Sequence, residues 1–187
     1  YVKNKNYETT NINESLFWAL EPSSSPVLVT YGDIVFGQKI IQQMLEITDG
    51  IGLAVNLNWK KYYQNRTMHP LSEAENVLVE NGRILQIRKN ISKSLGSQQI
   101  GEFLGIMTLS SEHVKILLER YSYLKKNHIG AFHNSSSLSN AYLTDMLQEI
   151  INCDINVNPV FTEGEWREID TPEDLKNAEK SINKFQS

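Results

Sequence analysis

Apolar residues recur along this chain in two rhythms, and the alternation between them lays out its elements. Pro26-Val27-Leu28-Val29-Thr30 is a short continuous apolar run that reads as a buried strand. From Gly37 to Thr48 the residues Ile40, Ile41, Met44, Leu45 and Ile47 fall at helical spacing, and Ile51 to Leu57 is a second apolar strand. Strand, crossover of about a dozen residues and strand is the βαβ unit of a parallel sheet. Before it, Asn11 or Asn13 can cap a short helix with Leu16, Phe17 and Leu20 on one face.

From Asn58 to Ala74 the chain is polar and aromatic with no sustained period, and a loop of that length in a compact domain is usually functional or disordered. Val77-Leu78-Val79 and Ile84-Leu85-Gln86-Ile87 flank Asn81-Gly82, a strong hairpin signal. A strand is expected over Phe103 to Leu109. A helix capped by Ser110 or Ser111 then runs to about Lys126, buried through Val114, Leu117, Leu118 and Tyr121. A serine- and asparagine-rich loop covers Asn127 to Asn140, followed by a helix over Ala141 to Ile151, a strand over Ile155 to Phe161 and a short strand ending at Ile169. Thr171, Pro172 and Asp174 occupy the N-cap, first and third positions of a last helix.

Composition narrows the classes. A chain of 187 residues is one domain of ordinary size, and 40% hydrophobic with 21% charged residues is the make-up of a globular protein. A net charge of −4, with no basic stripe, argues against a nucleic-acid partner. No apolar stretch reaches the roughly 18 residues of a membrane span. The single cysteine, Cys153, excludes an internal disulfide and agrees with a reducing, cytoplasmic setting; at the end of an apolar helix it reads as a buried structural thiol.

Two acidic motifs stand out, Tyr31-Gly32-Asp33 and Trp166-Arg167-Glu168-Ile169-Asp170. One follows the first strand and the other the last. Open α/β sheets bind ligands beyond the carboxyl ends of their strands, so Asp33 and Asp170 are placed to face one cleft. Two carboxylates with room for water and phosphate oxygens suit Mg²⁺. The plainer alternative is a turn aspartate and a helix-cap neighbour. Tyr62, Tyr63, Arg66 and His69 in the long loop could close over a ligand, Arg66 gripping phosphate oxygens bidentately. His69 has no second histidine at ligand spacing, which speaks against zinc. Trp18 reads as core packing, and Tyr142 with Asp145 one turn apart on a cleft-facing helix.

Asn4-Lys5-Asn6-Tyr7-Glu8-Thr9-Thr10-Asn11 with Ser15-Leu16 resembles the N-P-x-Y-x-x-T-N…S-L segment of cytidylyltransferase-like nucleotidyltransferases. Gly32 to Phe36, Asn81 to Ile84 with Lys89, Gly101 to Ile106, and Trp166 to Leu175 continue the resemblance in order. That group includes choline-phosphate and phosphonate cytidylyltransferases and sugar-phosphate nucleotidyltransferases. The resemblance implies an α/β, three-layer α/β/α nucleotide-diphospho-sugar-transferase-like fold with a mixed, mainly parallel sheet, lacking its first βα unit. The 187 residues are then the larger C-terminal part of a single nucleotidyltransferase domain. It implies Mg²⁺ held by Asp33 and Asp170, an acceptor-phosphate lysine at Lys89, and substrate contacts at Asn4, Asn11, Arg66, Glu102 and Glu168.

The implied reaction transfers a nucleotidyl group, cytidylyl from CTP foremost, to a small phosphate- or phosphonate-bearing acceptor, with a homo-oligomer or a fused domain as further possibilities. A sugar-1-phosphate uridylyl- or thymidylyltransferase and a non-catalytic remnant are the alternatives. Two departures matter. The family's glycine-rich G-x-G-x-R turn has no counterpart in the sequence, so these residues alone are expected to bind nucleotide poorly and to be inactive. Asn56 stands where some relatives carry an aspartate.

Overall fold

The computed structural model describes residues 1–64 and 66–182. In chain order the elements are α1 (Ile12–Leu20), β1 (Val27–Thr30), β2 (Ile34–Phe36), α2 (Gln38–Leu45), β3 (Ile51–Asn56), β4 (Glu75–Glu80), β5 (Arg83–Lys89), β6 (Gln99–Leu109), α3 (Ser111–Asn127), α4 (Leu143–Asn152), β7 (Val157–Phe161), β8 (Trp166–Glu168) and α5 (Pro172–Ile182). Local chemistry accounts for several boundaries. The Asn11 side chain accepts from the Ile12 N–H at 2.7 Å to start α1, and Ser110 accepts from His113 N–H to start α3. Asn81 and Gly82 both have positive φ, 49° and 75°, the backbone that joins β4 to β5 in a two-residue hairpin. Thr171 and Asp174 exchange backbone-to-side-chain bonds at the head of α5, a reciprocal cap of the expected kind.

Six strands form the main sheet in the order β5-β4-β6-β3-β7, with β1 also on β6; β2 and β8 make a separate two-stranded ribbon. Side chains alternate across the sheet and divide the core. Ile51, Leu53 and Val55 of β3 and Phe103, Met107 and Leu109 of β6 face α1, α3 and α4. Ala54, Leu104 and Ile106 face the other way, onto Ile40 and Met44 of α2 and Trp166 of β8. Helices therefore cover both faces, giving the three layers expected.

The sheet is mixed, but its expected mainly parallel character is not what forms. Among the described residues only β3 and β7 pair in parallel, while β6 is antiparallel to β1, β3 and β4. The reason lies in β6. With eleven residues it is long enough to take β3 along one edge and both β1 and β4, end to end, along the other. β1 and β3 do run parallel, as a crossover through α2 requires, but β6 lies between them. Its first residues, Gln99 to Glu102, carry a single apolar side chain, Ile100, so the apolar pattern begins only at Phe103.

The seam between β1 and β4 sits at Gly105. This residue has φ +71°, and a Cβ there would lie 2.6 Å from the Tyr31 ring. Glycine is therefore required twice, for the backbone and for the approach of Tyr31. The Tyr31 hydroxyl donates to Glu75 Oε2 at 2.9 Å across the seam.

Two smaller expectations also change. Cys153 is exposed at the C-cap of α4 rather than buried. Asp145 does not face a cleft: it is 2% exposed and accepts from Tyr142 N, Asn134 N and Ser135 Oγ, tying the loop before α4 to its first turn. Trp18 is half-buried, its indole N–H donating to Glu14.

Candidate active site

Asp33 and Asp170 come together through the small ribbon. β2 and β8 pair antiparallel, Ile34 opposite Glu168 and Phe36 opposite Trp166. One step beyond, Ile169 N–H donates to the Asp33 carbonyl at 2.8 Å. The two aspartates thus flank the same end of the ribbon, in the connections around it rather than on strands of the main sheet. Both are exposed, and both line one cleft of about 380 Å³ together with Asn11, Tyr31, His69, Glu75, Lys89, Tyr142 and Glu168.

The acidic wall of this cleft is charge-dense. Glu168 is half-buried, and burial, reinforced by Asp170 and Glu102, pushes its carboxyl up to about 8. His69 faces the same two carboxylates, Nδ1 at 2.9 Å from Asp170 and Nε2 at 3.7 Å from Glu168. His69, Glu168 and Asp170 each offer one ligand atom within 4.8 Å of the others. This set holds one aspartate, Asp170, and Asp33 lines the same cleft outside it; carboxylates exposed to water in this way fit Mg²⁺, which keeps most of its waters and takes one or two carboxylates. The partnership of His69 was not legible from its spacing along the chain, since its partners lie about a hundred residues away.

Lys89 ends β5 and lines the same cleft, its Nζ 2.6 Å from Glu73 and over the Tyr142 ring at 5.9 Å. Burial works to lower its pKa, but Glu73 raises it further, so the ammonium stays charged. Asn11 contributes to the cleft while its side chain caps α1 and donates to the Asn140 carbonyl. Asn4 is buried and bound to Thr10, Ser15 and the Asn6 N–H, which makes it the tie of the first turns rather than a cleft residue.

Arg66 is placed differently from the expectation that it reaches over the cleft. The long segment is not a free arm: Trp59 and Tyr63 pack edge to face at 5.7 Å and bury with Ala74 in a small separate core. Arg66 turns inward beneath it. Its Nε donates to Asp174 at 2.7 Å, its Nη2 lies 3.7 Å from Glu168, and its guanidinium covers the Tyr63 ring at 4.9 Å. Thr67 N–H and Met68 N–H both donate to Glu173. Residues 66 to 69 therefore clasp the β8–α5 corner that carries Asp170.

Glu102 lies beneath this region, 2% exposed, accepting from the Tyr63 hydroxyl through one oxygen while the other has no hydrogen-bond partner. Burial lifts its carboxyl to about 7. The Glu75 carboxyl is likewise raised by burial. Asn56 is buried and accepts from the Asn58 N–H at 2.7 Å, a turn contact within β3's exit.

This architecture is the fold of nucleotidyltransferases of solved structure, and the chain is similar in sequence to one cytidylyltransferase. It is 25% identical over 180 residues to the CTP:phosphoglutamine cytidylyltransferase of Campylobacter jejuni subsp. jejuni serotype O:2, covering 92% of this chain and 69% of that protein. Among solved structures it superposes on the inositol-1-phosphate CTP transferase from T. maritima with a TM-score of 0.64 at 20% identity. It matches the CTP:phosphocholine cytidylyltransferase from Streptococcus pneumoniae with a TM-score of 0.63 at 15% identity. Those matches cover 98% and 95% of this chain but only 65% and 66% of the respective structures, so the chain spans about two thirds of the length of its relatives. No protein-family model matches it.

Proposed function

We propose that this chain carries the metal and acceptor part of a nucleotidyltransferase that moves a cytidylyl group from CTP to a small phosphate- or phosphonate-bearing acceptor, releasing pyrophosphate. The observation that supports it most is the β2–β8 ribbon, which brings Asp33 and Asp170 to one cleft that Lys89 also lines. The sequence likeness to a cytidylyltransferase favours CTP as donor.

In this reading an acceptor oxygen attacks the α-phosphorus of CTP. The new P–O bond forms as the bond to the β-phosphate bridging oxygen breaks, and that oxygen keeps the electron pair as pyrophosphate departs. The acceptor is already ionised at neutral pH, so no side chain has to remove a proton. The protein's task is to bring two anions together in line. Lys89 neutralises and orients the acceptor phosphate, exchanging Glu73 for it. Asp33 and Asp170 would hold Mg²⁺, which when bound screens the triphosphate and stabilises charge on the departing group. His69 and the residues 66 to 69 clasp hold Asp170 in place. Among the described residues no helix is long and apolar enough to cross a membrane, and a single exposed thiol suits a reducing cytoplasm, where CTP is available.

The reading is tested by following pyrophosphate release with Mg²⁺ and CTP, UTP, dTTP or ATP, with and without a panel of phosphate acceptors. The protein is assayed as these 187 residues and with any residues encoded upstream of Tyr1. Release that requires both CTP and an acceptor is expected when the upstream residues are present, and little release from these 187 residues alone. Release without an acceptor, or equal release from every nucleotide, contradicts it.

A further inference from the structure

One exposed turn separates two fixed points in the segment from Arg66 to Glu75. Upstream, Arg66 donates to Asp174, the Thr67 and Met68 N–H groups donate to Glu173, and His69 stands 2.9 Å from Asp170. Downstream, Ala74 is buried with Trp59 and Tyr63, and Glu75 enters the β4–β5 ladder opposite Lys89. Between these points Pro70, Leu71, Ser72 and Glu73 are all exposed. Their backbone closes a single 3₁₀ turn, in which Glu73 N–H donates to the Pro70 carbonyl at 3.0 Å and Ala74 N–H to the Leu71 carbonyl at 3.3 Å. Among the described residues this turn has one side-chain hydrogen bond, between Glu73 and the Lys89 ammonium at 2.6 Å.

We propose that Glu73 is an autoinhibitory latch: its carboxylate fills the phosphate position on Lys89 in the empty protein, and an arriving phosphate displaces it and frees the turn of residues 70 to 73. The inference rests on the reading of Lys89 as the acceptor-phosphate lysine and adds a conformational step to it. Chemistry and exposure carry it. A carboxylate oxygen 2.6 Å from the ammonium makes the contact that a phosphate oxygen would make. Lys89 beside it holds the Glu73 carboxyl below its ordinary range, so the latch is charged at neutral pH. Both side chains are nearly half exposed, 43% for Lys89 and 48% for Glu73, so the pair is weak and open to water and salt. A phosphate brings more charge and more acceptor oxygens than the carboxylate it replaces. Glu75, opposite Lys89 in the ladder, is engaged by the Tyr31 and Thr144 hydroxyls, which leaves Glu73 as the carboxylate bonded to the ammonium. Carboxylate and phosphate repel one another at a shared ammonium, so the apparent phosphate affinity scales with the fraction of protein whose latch is open. The Asp170 corner keeps its own bonds when the turn opens, so the change stays local.

The test is calorimetry with inorganic phosphate near neutral pH on the unaltered chain, Glu73→Gln, Lys89→Met and Glu119→Gln, with circular dichroism melts to confirm folding. Glu119 is an exposed carboxylate on α3, and its substitution controls for net charge. Amide exchange is followed by NMR on the same proteins. Glu73→Gln is expected to bind phosphate about two- to sixfold tighter, the gain from freeing one exposed ion pair, and Glu119→Gln to leave the affinity unchanged. In the unaltered chain phosphate is expected to quicken exchange at residues 73 and 74 to the level that Glu73→Gln shows without it, while Thr67 and Met68 keep their protection. Equal affinity in the unaltered chain and Glu73→Gln, or an equal gain in Glu119→Gln, with binding lost in Lys89→Met, overturns the latch and leaves Lys89 as the acceptor lysine. Binding that survives Lys89→Met unchanged, or no binding to any of the four proteins, overturns the acceptor role of Lys89 and the latch with it. If Glu73→Gln does not fold, exchange in the unaltered chain decides by itself: quickening at residues 73 and 74 on adding phosphate supports the latch, and no change overturns it.

Discussion

Arg66 and Asp174 show how the same residue can be read one way in sequence and another in space. A guanidinium in a long polar segment suggests a phosphate grip, yet its side chain is only 8% exposed and its partner's 3%. Burial works to raise Asp174, but the bonds from Arg66 and Thr171 hold it below its ordinary range. Removing one member of such a pair leaves a buried charge, so Arg66→Ala is expected to cost about 3 to 5 kcal/mol of stability, read from urea melts. A loss under about 1 kcal/mol would mean the pair is solvated in solution.

Glu102 makes an opposite prediction. Its carboxyl is raised from 4.5 to about 7 in the folded state, so its contribution to stability is fully present below pH 4.5 and is lost as pH rises through 7. Glu102→Gln stays neutral throughout. Thermal melts from pH 4 to 8 should therefore show the variant gaining on the unaltered protein as pH increases, and parallel curves would contradict the shift.

At the scale of elements, periodicity located the strands and helices well where burial is one-sided. The stripe Ile40, Ile41 and Met44 placed α2, and alternation with Asn81-Gly82 placed the β4–β5 hairpin within a residue or two. What periodicity does not carry is partner choice. β2 is only three residues long and owes its existence to β8, more than 130 residues away, and β6's insertion between β1 and β3 is a matter of long-range pairing. The same limit governs the site. Asp33, Asp170, Glu168 and Lys89 lie in recognisable motifs, whereas His69 and Glu75 acquire their setting only when the 66 to 69 clasp and the Gly105 seam form.

Two substitutions probe these elements. Gly105→Ala forces a side chain onto φ +71° and against the Tyr31 ring, and is expected to cost about 1 to 3 kcal/mol and to perturb the near-ultraviolet signal of the tyrosines. Unchanged melts would show that β6 bends elsewhere. Glu173→Ala removes the acceptor of two backbone N–H groups, so amide exchange at Thr67 and Met68 should quicken while β3 and β6 stay protected. Uniform exchange across these segments would contradict the clasp as a local device.

For the whole molecule, the sheet and its two helical layers act as a frame, and the chemistry lies where irregular connections leave it. The ribbon of β2 and β8 sits outside the main sheet, packed on α2 through Trp166, and brings two acidic connections to one mouth. Asp33 and Asp170 are exposed, and the described residues assign neither of them a buried structural role. They differ in this from Asp174 and Asp145, which are buried and bonded, as the metal role proposed for Asp33 and Asp170 predicts. The most direct measurement is Mg²⁺-dependent pyrophosphate release from CTP in the presence of a phosphate acceptor, by the protein with any residues encoded upstream of Tyr1 and by its Asp33→Asn and Asp170→Asn variants, alongside their melting temperatures. The account predicts that each substitution lowers turnover by about a hundredfold or more while the melting temperature stays within a few degrees. Full turnover in either variant would contradict the paired-aspartate site.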